Sequence, residues 1–545
     1  MENLSSRQRG ENFAGKESGL VKNTFVVSGG TTVSRIFGLI REILISSVFG
    51  TTWVTDAFFI AYIIPNLLRR LFAEGALSTS VVPVFSQYRD KRSQEAREFI
   101  ASVFTALVLV VSAICAAGIL FSPWLVELIA VGFRGDAEKL LLTTRFTQIM
   151  FPFLLVVSLA ALLMGVLNTL HIFSWSAIAP VFFNLGIILS IVFFSGNLGP
   201  YVLAWGVLIG GIGQFAIQLI PFYRKGFSLA PVFTFWKNPG LKQVVHLMLP
   251  VTFALAVSQI NTLVDRIIAS TTQEGAVSAL YFADRLMELP LGIFGIAIAT
   301  AILPPLSRYA MHKENDNWSR TFTQGLRFVL YIMLPLSVLL VLFRYESVTL
   351  VYERGQFDRQ ATMMTAHALL FYAPGLLFLS LVHLLTRAFY SLKDSKTPVR
   401  ISVVAVGMNI ILDIVLVRFM DFPGLALATT LSAVFNSFFL LYHLHKRSLA
   451  FRSDTGFLPW LKKLFILLII FSTAGWGIHH VSGGPYTGLE GMIRFVLLSL
   501  ALLAGYYFLS RLFGLQEGGA IIKIFRGSSP EALQENPDRR KKNRD

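Results

Sequence analysis

Five arginines lie within long apolar stretches of the sequence, where a charged side chain facing lipid would be costly. They are Arg35, Arg41, Arg69, Arg70 and Arg285. A charge at bilayer depth costs about 2.5–3.5 kcal/mol on insertion scales, so these side chains are expected to face a polar, water-filled cavity inside a helical bundle. Guanidinium groups donate paired hydrogen bonds in one plane, which suits phosphate oxygens. The set predicts an anionic ligand, and a pyrophosphate is favoured over a single carboxylate.

The first arginine cluster is the stretch SRIFGLIRE, residues 34–42. On a helix, Arg35 and Arg41 share one broad face, and Gly38 leaves room between them. Arg41 stands near the end of its segment and could extend to the membrane interface instead, whereas Arg35 lies about two turns deeper. Glu42 directly follows Arg41 and offers it a counter-charge. The pattern favours ligand binding, most clearly for Arg35.

The second cluster follows Pro65, which should kink its helix. A broken helix within a membrane is tolerated only where it lines protein or water. Arg70 and Glu74 are four residues apart and could form a structural ion pair, so pairing and ligand binding are equal alternatives for Arg70. Arg69 has no such neighbour in the sequence and is the better ligand candidate.

In the third cluster, Asp284 and Glu288 flank Arg285 on adjacent helical turns. A local salt bridge is therefore an alternative to ligand binding. Arg285 nevertheless occupies the position in the second half of the chain that Arg69 occupies in the first. A ligand held between two halves would be reached from both.

Asp56 begins the second apolar segment, near the expected outer surface. Two interpretations remain open for it. An acidic residue at a helix N-terminus stabilises the helix, and a carboxylate at the outer end of a cavity can also form part of a gate.

A second polar group lies in other apolar segments. Asp265 is deep in the seventh segment, Asn409 and Asp413 are four residues apart on one face of the eleventh, and Thr429 is in the twelfth. Oxygen ligands of this kind could hold Na⁺ or relay a proton. The alternative for Asp265 is an ion pair with Arg266.

The composition predicts an all-α polytopic membrane protein. Of 545 residues, 54% are hydrophobic and 14% are charged, and the mean hydropathy is +0.64. Soluble domains carry roughly 25% charged residues. The single cysteine, Cys115, lies in an apolar run and excludes an intramolecular disulfide framework.

A transmembrane helix needs about 20 mainly apolar residues. Fourteen segments qualify, at 20–48, 56–85, 100–128, 144–170, 175–195, 200–222, 243–269, 277–307, 321–343, 362–390, 398–417, 423–444, 460–480 and 491–513.

The distribution of positive charge predicts that both termini are cytoplasmic. With that orientation, 31 of the 47 lysines and arginines fall in cytoplasmic segments. The outer loops hold Arg134, Lys139, Arg344, Arg354, Arg359 and Arg418. This asymmetry is the one that membrane insertion imposes. The net charge of +16 therefore marks topology and contact with anionic membrane lipids, and it does not indicate nucleic-acid binding.

A short internal repeat suggests two six-helix lobes. The pattern P-x-x-S-x-Y ends the second segment at Pro83–Tyr88 and the eighth at Pro304–Tyr309. Parallel repeats of this kind recur in alternating-access transporters. The predicted organisation is a polar N-terminal extension (1–18), an N-lobe (19–222), a cytoplasmic linker (223–242), a C-lobe (243–446), two further helices (459–513) and a basic cytoplasmic tail (514–545).

Six stretches of the sequence resemble the MurJ/MviN family, the lipid II flippases of the multidrug/oligosaccharidyl-lipid/polysaccharide exporter superfamily. They are SRIFGLIRE (34–42), TDAFFIAYIIPNLLRRLFAEGALS (55–78), GVLNTL (165–170), YFADRLMELPLGIFG (281–295), ERGQFD (353–358) and RAFYSLKDSKTPV (387–399). The resemblance implies fourteen helices, a cavity between two lobes and a groove near the last two helices for an isoprenoid tail. It also implies binding arginines at Arg35, Arg41, Arg69 and Arg285, acidic gate residues at Asp56 and Glu74, and sodium ligands at Asp265, Asn409, Asp413 and Thr429.

The function that these observations predict is transport without chemical conversion. No P-loop, HExxH motif or nucleophile elbow occurs in the sequence, so an enzyme is not expected. The resemblance implies a flippase of the bacterial inner membrane that carries undecaprenyl-pyrophosphate-linked peptidoglycan precursor, lipid II, to the outer leaflet by alternating access. An exporter of drugs or of another lipid-linked oligosaccharide is the alternative. We expect a monomer without a cofactor, with Na⁺ as a possible coupling ion and cell-wall synthesis proteins as possible partners.

Overall fold

The computed structural model describes residues 29–71, 77–91, 93–447, 456–481 and 488–519. These residues form helices joined by short connections, and no strand occurs among them. Three features predicted from the sequence lie outside the described residues: the N-terminal extension 1–18, Glu74, and the tail beyond residue 519.

The chain divides into two compact units. The first comprises Met1–Ser278 with the short insert Arg354–Asp358, and the second comprises Ala279–Glu353 with Arg359–Asp545. The first unit contains α1 (residues 29–49), α2 (Trp53–Leu68), α3 (Ser78–Lys91), α4 (Ser93–Leu120), α5 (Ser122–Ile129), α6 (Ala137–Thr169), α7 (Phe173–Leu198), α8 (Val202–Arg224) and α9 (Pro239–Ser270). The boundary falls within α10 (Ala276–Pro290). The second unit continues with α11 (Ile296–Met311), α12 (Asn315–Leu342), α13 (Arg344–Tyr352), α14 (Arg359–Tyr372), α15 (Gly375–Ser391), α16 (Lys396–Met420), α17 (Pro423–Lys446), α18 (Phe457–Val481) and α19 (Gly488–Leu512). The lobe boundaries expected from the sequence stay a prediction.

The apolar helices confirm a polytopic membrane fold. Within the described part of the chain, 9 helical stretches are long and apolar enough to cross a membrane, or up to 10 if the bent pair α14 and α15 forms one span. That pair bends by 45° where Pro374 follows α14. The predicted number of fourteen spans is not confirmed by this count.

The second predicted span, 56–85, is not a regular α-helix throughout, and whether it is one helix stays a prediction because residues 72–76 lie outside the described residues. Helix α2 ends at Leu68, residues 69–71 form a π-helical turn, and α3 begins at Ser78. Pro65 lies in the last turn of α2, where it removes one backbone donor and weakens the regular ladder. The sequence predicted a kink at this proline, and the structure shows that the regular helix ends one turn later. π-Helical turns often occur at functional sites.

Helix α6 runs through the core of the first unit. Most of its side chains are buried, and α2, α4 and α8 pack along it. The rings of Phe58 on α2 and Phe146 on α6 meet edge to face, with centroids 6.2 Å apart. Helices α7 and α8 approach closely at Gly186, where an added Cβ would lie 2.3 Å from the Cα atom of Gly210. This packing holds α2, which carries several candidate site residues, against a buried support.

The two helices predicted to follow the second lobe pack within the second unit. An apolar cluster joins α12, α18 and α19 and includes Leu464 and Leu467, both fully buried. Tyr506 on α19 donates a hydrogen bond to the carbonyl oxygen of Tyr331 on α12, at 2.9 Å, and the Tyr331 hydroxyl lies 2.8 Å from that of Ser510. Buried polar groups need such partners, and here they fix how α19 sits against α12.

Asp394 caps the N-terminus of α16. Its carboxylate accepts hydrogen bonds from the backbone amides of Lys396 and Thr397, both at 3.0 Å, and from the Thr397 hydroxyl at 2.7 Å. It also pairs with Arg447 at the end of α17. Desolvation alone would raise the pKa of Asp394, but the hydrogen bonds from Thr397 and the pairing with Arg447 outweigh it and lower the pKa to about 2.

This cap predicts a pH-dependent contribution to stability. A carboxyl group whose pKa is lower in the folded protein stabilises the fold above its unfolded pKa, about 3.9, and loses that contribution as pH falls towards 2. We therefore expect Asp394→Asn to lower the melting temperature by a constant amount between pH 8 and pH 5. The difference from the unsubstituted protein should narrow between about pH 4 and pH 2. Thermal unfolding in detergent across this range measures it, and a difference that widens with acid would contradict the assignment.

Candidate functional site

Arg41 is held on α1 by contacts to α7. Its guanidinium donates a hydrogen bond to the Oδ1 atom of Asn184 at 3.0 Å, pairs with Glu42, and lies 5.8 Å from the ring centroid of Phe183. The Asn184 amide in turn donates to the carbonyl oxygen of Ser34 at 3.1 Å. The predicted counter-charge at Glu42 is therefore present, and the arginine is fixed in place before any ligand binds.

Arg35 lies on the same helix in a different environment. Its side chain is exposed, whereas 17% of the Arg41 side chain is accessible. Gly38 between them faces α7, where an added Cβ would lie 3.8 Å from the Asn184 amide nitrogen. The exposed guanidinium of Arg35 can turn towards an anion without breaking a structural contact of the kind that holds Arg41.

Arg69 and Arg70 occupy the π-helical turn that follows α2, and both are partly buried. Arg69 donates two hydrogen bonds to the Oδ1 atom of Asn66, at 3.1 Å from Nε and 2.9 Å from Nη2. These two contacts hold the guanidinium group against the last turn of α2. The alternative pairing of Arg70 with Glu74 stays a prediction, because Glu74 is not among the described residues.

Asp56 is fully enclosed and receives three hydrogen bonds from residues 275–278. Its carboxylate accepts from the Gly275 amide at 2.7 Å, the Ser278 amide at 2.9 Å and the Ser278 hydroxyl at 2.6 Å. These donors belong to the first turn of α10, so a side chain of α2 caps another helix. Asp56 lies in the first turn of α2, but the helix that its carboxylate caps is α10. The sequence could not indicate this, because positions 56 and 278 are far apart in the chain.

Lys139 completes the surroundings of Asp56 and was not recognised as a site residue from the sequence. Its Nζ atom lies 3.6 Å from the Asp56 Oδ2 atom and 4.0 Å from the ring centroid of Phe133. It was predicted to be an outer-loop charge, but it sits in the first turn of α6 and is 8% exposed. A lysine in a loop-like sequence gives no signal of burial until its acidic partner is known.

Arg285 lies in α10 within the second unit and forms a local ion pair. It pairs with Glu288 one turn later and lies 4.9 Å from the ring centroid of Tyr281. The salt bridge considered from the sequence is therefore present between Arg285 and Glu288. The Arg285 side chain is 32% accessible.

The four proposed sodium ligands fall in both units. In the second, Asn409 and Asp413 on α16 are almost completely buried, and the Asn409 side chain makes no hydrogen bond within the described structure. The Thr429 hydroxyl on α17 donates to the Leu425 carbonyl at 3.1 Å. In the first unit, Asp265 accepts from Asn261 at 3.4 Å. Among the residues described, no group of three or more His, Cys, Asp or Glu side chains is arranged to hold a metal ion.

The insert Arg354–Asp358 packs on the end of α1. The Gln356 amide donates to the Ser47 carbonyl at 2.7 Å, and Phe357 is 1% exposed. Gly355 and Gly50 both have positive φ, at 62° and 61°. An added Cβ would lie 2.1 Å from the Ser47 oxygen in one case and 2.5 Å from the Gln356 oxygen in the other. The backbone approach at this point requires two glycines.

The fold is shared with a solved transporter structure. The chain is similar to an inward-facing multidrug resistance MATE family transporter of the MOP superfamily, with a TM-score of 0.62 and 13% identity over 76% of this chain and 95% of that one. At this level of identity the similarity shows the fold alone, which is a polytopic helical bundle like that of the transporter.

The family is defined by sequence. The model of the family described as "Lipid II flippase MurJ" matches residues 45–496. The chain therefore belongs to the MurJ family of lipid II flippases, which confirms the resemblance seen in its motifs. It is 36% identical to a probable lipid II flippase MurJ of Vibrio cholerae, over 89% of this chain and 96% of that protein. It is 34% identical to the lipid II flippase MurJ of Burkholderia cenocepacia, over 90% and 96% respectively.

A solved structure supports the same assignment. The chain is similar to a lipid II flippase MurJ in an inward closed conformation, with a TM-score of 0.75 and 27% sequence identity. The similarity covers 90% of this chain and 98% of that one, so it includes both units.

Proposed function

We propose that this protein moves lipid II from the cytoplasmic to the outer leaflet of the inner membrane by alternating access. The observation that carries the proposal is the set of arginines on α1 and at the end of α2. Arg41 and Arg69 are pre-positioned by Asn184 and Asn66, and Arg35 on the same helix as Arg41 is exposed. Preorganised guanidinium groups of this kind match a diphosphate better than a neutral drug.

The arginines would act in different ways. Arg35 and Arg69 would donate to the pyrophosphate, and Arg41 would add charge from a fixed position. Arg70 and Arg285 stay predicted contacts to the same anion. The isoprenoid tail would remain in lipid while the sugar-peptide head crosses, because burying the tail in a polar cavity would oppose the hydrophobic effect.

Asp56 would act as the outer gate. Its carboxylate holds the first turn of α10 through three hydrogen bonds, and these are contacts that can be made in one state and released in another. The excess of lysine and arginine in alternate loops supports cytoplasmic termini, and with that orientation Asp56 would lie at the outer side.

A sodium ion would supply work that the arginines cannot, since binding alone does not drive transport. The buried amide of Asn409, which lacks a hydrogen bond in the described structure, fits an oxygen ligand for a cation, as does the carboxylate of Asp413 on the next turn. Thr429 and Asp265 stay predicted ligands. An ion bound by these residues would couple transport to the membrane potential, at about 2.3 kcal/mol per charge per 100 mV.

We expect the protein to act as a monomer, and contact with cell-wall synthesis enzymes stays a prediction.

Reconstitution tests the proposal directly. Purified protein in liposomes containing fluorescent lipid II should expose the lipid to an outside quencher or enzyme faster than empty liposomes. An inward or outward Na⁺ gradient should change the initial rate if sodium is coupled. A polyprenyl phosphate without the second phosphate serves as the matched control substrate. Equal rates for both lipids, or for protein-containing and empty liposomes, would contradict the proposed function.

A further inference from the structure

The buried lysine beside Asp56 has a role that the gate itself does not explain. Asp56 already receives three hydrogen bonds from Gly275 and Ser278, enough to satisfy its carboxylate in the state seen here. Lys139 nevertheless lies 3.6 Å away and is itself 8% exposed. Burying a second charge at this point costs free energy through desolvation. We therefore expect Lys139 to matter in a state where the three hydrogen bonds to Asp56 are absent.

The two sets of partners come from different helices. Asp56 and Lys139 lie on α2 and α6, which pack along each other over a shared core that includes Phe58 and Phe146. Gly275 and Ser278 belong instead to the beginning of α10. A movement that separates α10 from α2 would remove the three donors and leave the lysine in place.

The position of Lys139 is fixed independently of Asp56. Its backbone amide donates to the Asp136 carboxylate at 3.0 Å, which caps α6, and its ammonium group lies over Phe133. The segment before α6 is seated on α9 through the Gly132 amide, which donates to the Ser270 hydroxyl at 3.2 Å. These contacts hold the Lys139 ammonium group beside the Asp56 carboxylate.

We propose that Lys139 is the permanent counter-charge of Asp56, which lets the outer gate release α10 without leaving a buried carboxylate unpaired. It is a positioning residue that acts through Asp56, and it does not contact the substrate. This role rests on the proposed gating function of Asp56. Without the ammonium group, Asp56 depends wholly on the donors of α10, so the closed state should be favoured.

Cross-linking across the gate tests this role in the full-length protein. Trp53 and Glu274 are neighbours, since the Trp53 amide lies 3.2 Å from Glu274 Oε1. In a Cys115→Ser background, which removes the sole cysteine, Trp53→Cys and Glu274→Cys together report gate closure through a short bifunctional thiol reagent. Lys139→Met should raise the cross-linked fraction and lower lipid II translocation by about 100-fold. Lys139→Arg, which keeps the charge, should restore most of both.

Charge rescue separates this role from a general effect on folding. Adding Asp56→Asn to Lys139→Met removes the carboxylate charge that the single variant leaves unpaired. The cross-linked fraction of the double variant should therefore fall from the raised level of Lys139→Met to the level of Asp56→Asn alone. Equal behaviour of Lys139→Met and the unsubstituted protein, or no rescue in the double variant, would overturn the proposal. If Lys139→Met fails to accumulate in membranes, accumulation of the double variant supports the proposal and its absence overturns it. If the cross-linking pattern holds while the unsubstituted protein moves no lipid II, the flippase proposal fails and the lysine role stands.

Discussion

Arg35→Ala should abolish lipid II translocation and leave the melting temperature almost unchanged. The side chain is exposed on α1, so its removal opens no cavity and breaks no contact of the kind that holds Arg41 to Asn184. A hydrogen bond to a charged group contributes about 1.5–3 kcal/mol, so a lost bidentate phosphate contact should slow translocation by roughly 100-fold or more. The initial rate in liposomes and growth of a bacterial strain depleted of its own flippase measure the effect.

Alanine variants of the other arginines distinguish a loss of substrate binding from a loss of stability. Arg41→Ala removes the Asn184 and Glu42 contacts as well, so it should lower both translocation and the melting temperature. Arg69→Ala and Arg285→Ala should also abolish growth without preventing membrane insertion. Arg418→Ala, at an exposed position at the end of α16, is the matched control and should behave like the unsubstituted protein. Full growth with alanine at Arg35, Arg69 and Arg285 in turn would show that these residues do not bind the substrate.

The membrane fold could be predicted from the sequence because its causes are local. An apolar segment must satisfy its backbone hydrogen bonds internally in lipid, so hydropathy alone predicts helices. The exact path of the chain could not be predicted in the same way. The second segment reads as one apolar stretch, yet the regular α-helix ends at Leu68 and a π-helical turn follows at residues 69–71. Pro65 indicated a weak point, but the residue at which the α-helix changes to a π-helical turn depends on what packs around it.

Some residues of the candidate site could be predicted from the sequence, and others could not. The arginines stand out in the sequence because a charge in an apolar segment is unusual, and the Arg41–Glu42 and Arg285–Glu288 pairs follow from close spacing. Lys139 gives no such signal, since a lysine near a helix start is common. Its importance comes from Asp56, 83 positions earlier in the chain, and only tertiary packing brings the two together.

Gly355→Ala should cause one of the largest losses of stability of any single substitution in the first unit. The residue has a φ of 62°, and its added Cβ would lie 2.1 Å from the Ser47 carbonyl oxygen, which already accepts the Gln356 amide. A left-handed conformation costs a non-glycine residue about 1–2 kcal/mol. Forcing atoms into an already packed space adds typically about 1–3 kcal/mol. Their sum, about 2–5 kcal/mol, should lower the melting temperature in detergent by several degrees.

Two other glycines separate these two costs. Gly199 also has positive φ, at 53°, but an added Cβ would meet nothing within 4 Å, so Gly199→Ala should show only the conformational cost. Gly196 lies in α7 with open space beside it, and Gly196→Ala should be neutral or slightly stabilising. The expected order of melting temperatures is therefore Gly196→Ala, then Gly199→Ala, then Gly355→Ala. If Gly355→Ala matches Gly199→Ala, the insert can move away from Ser47 at no cost, and the close contact at the end of α1 does not stabilise the first unit.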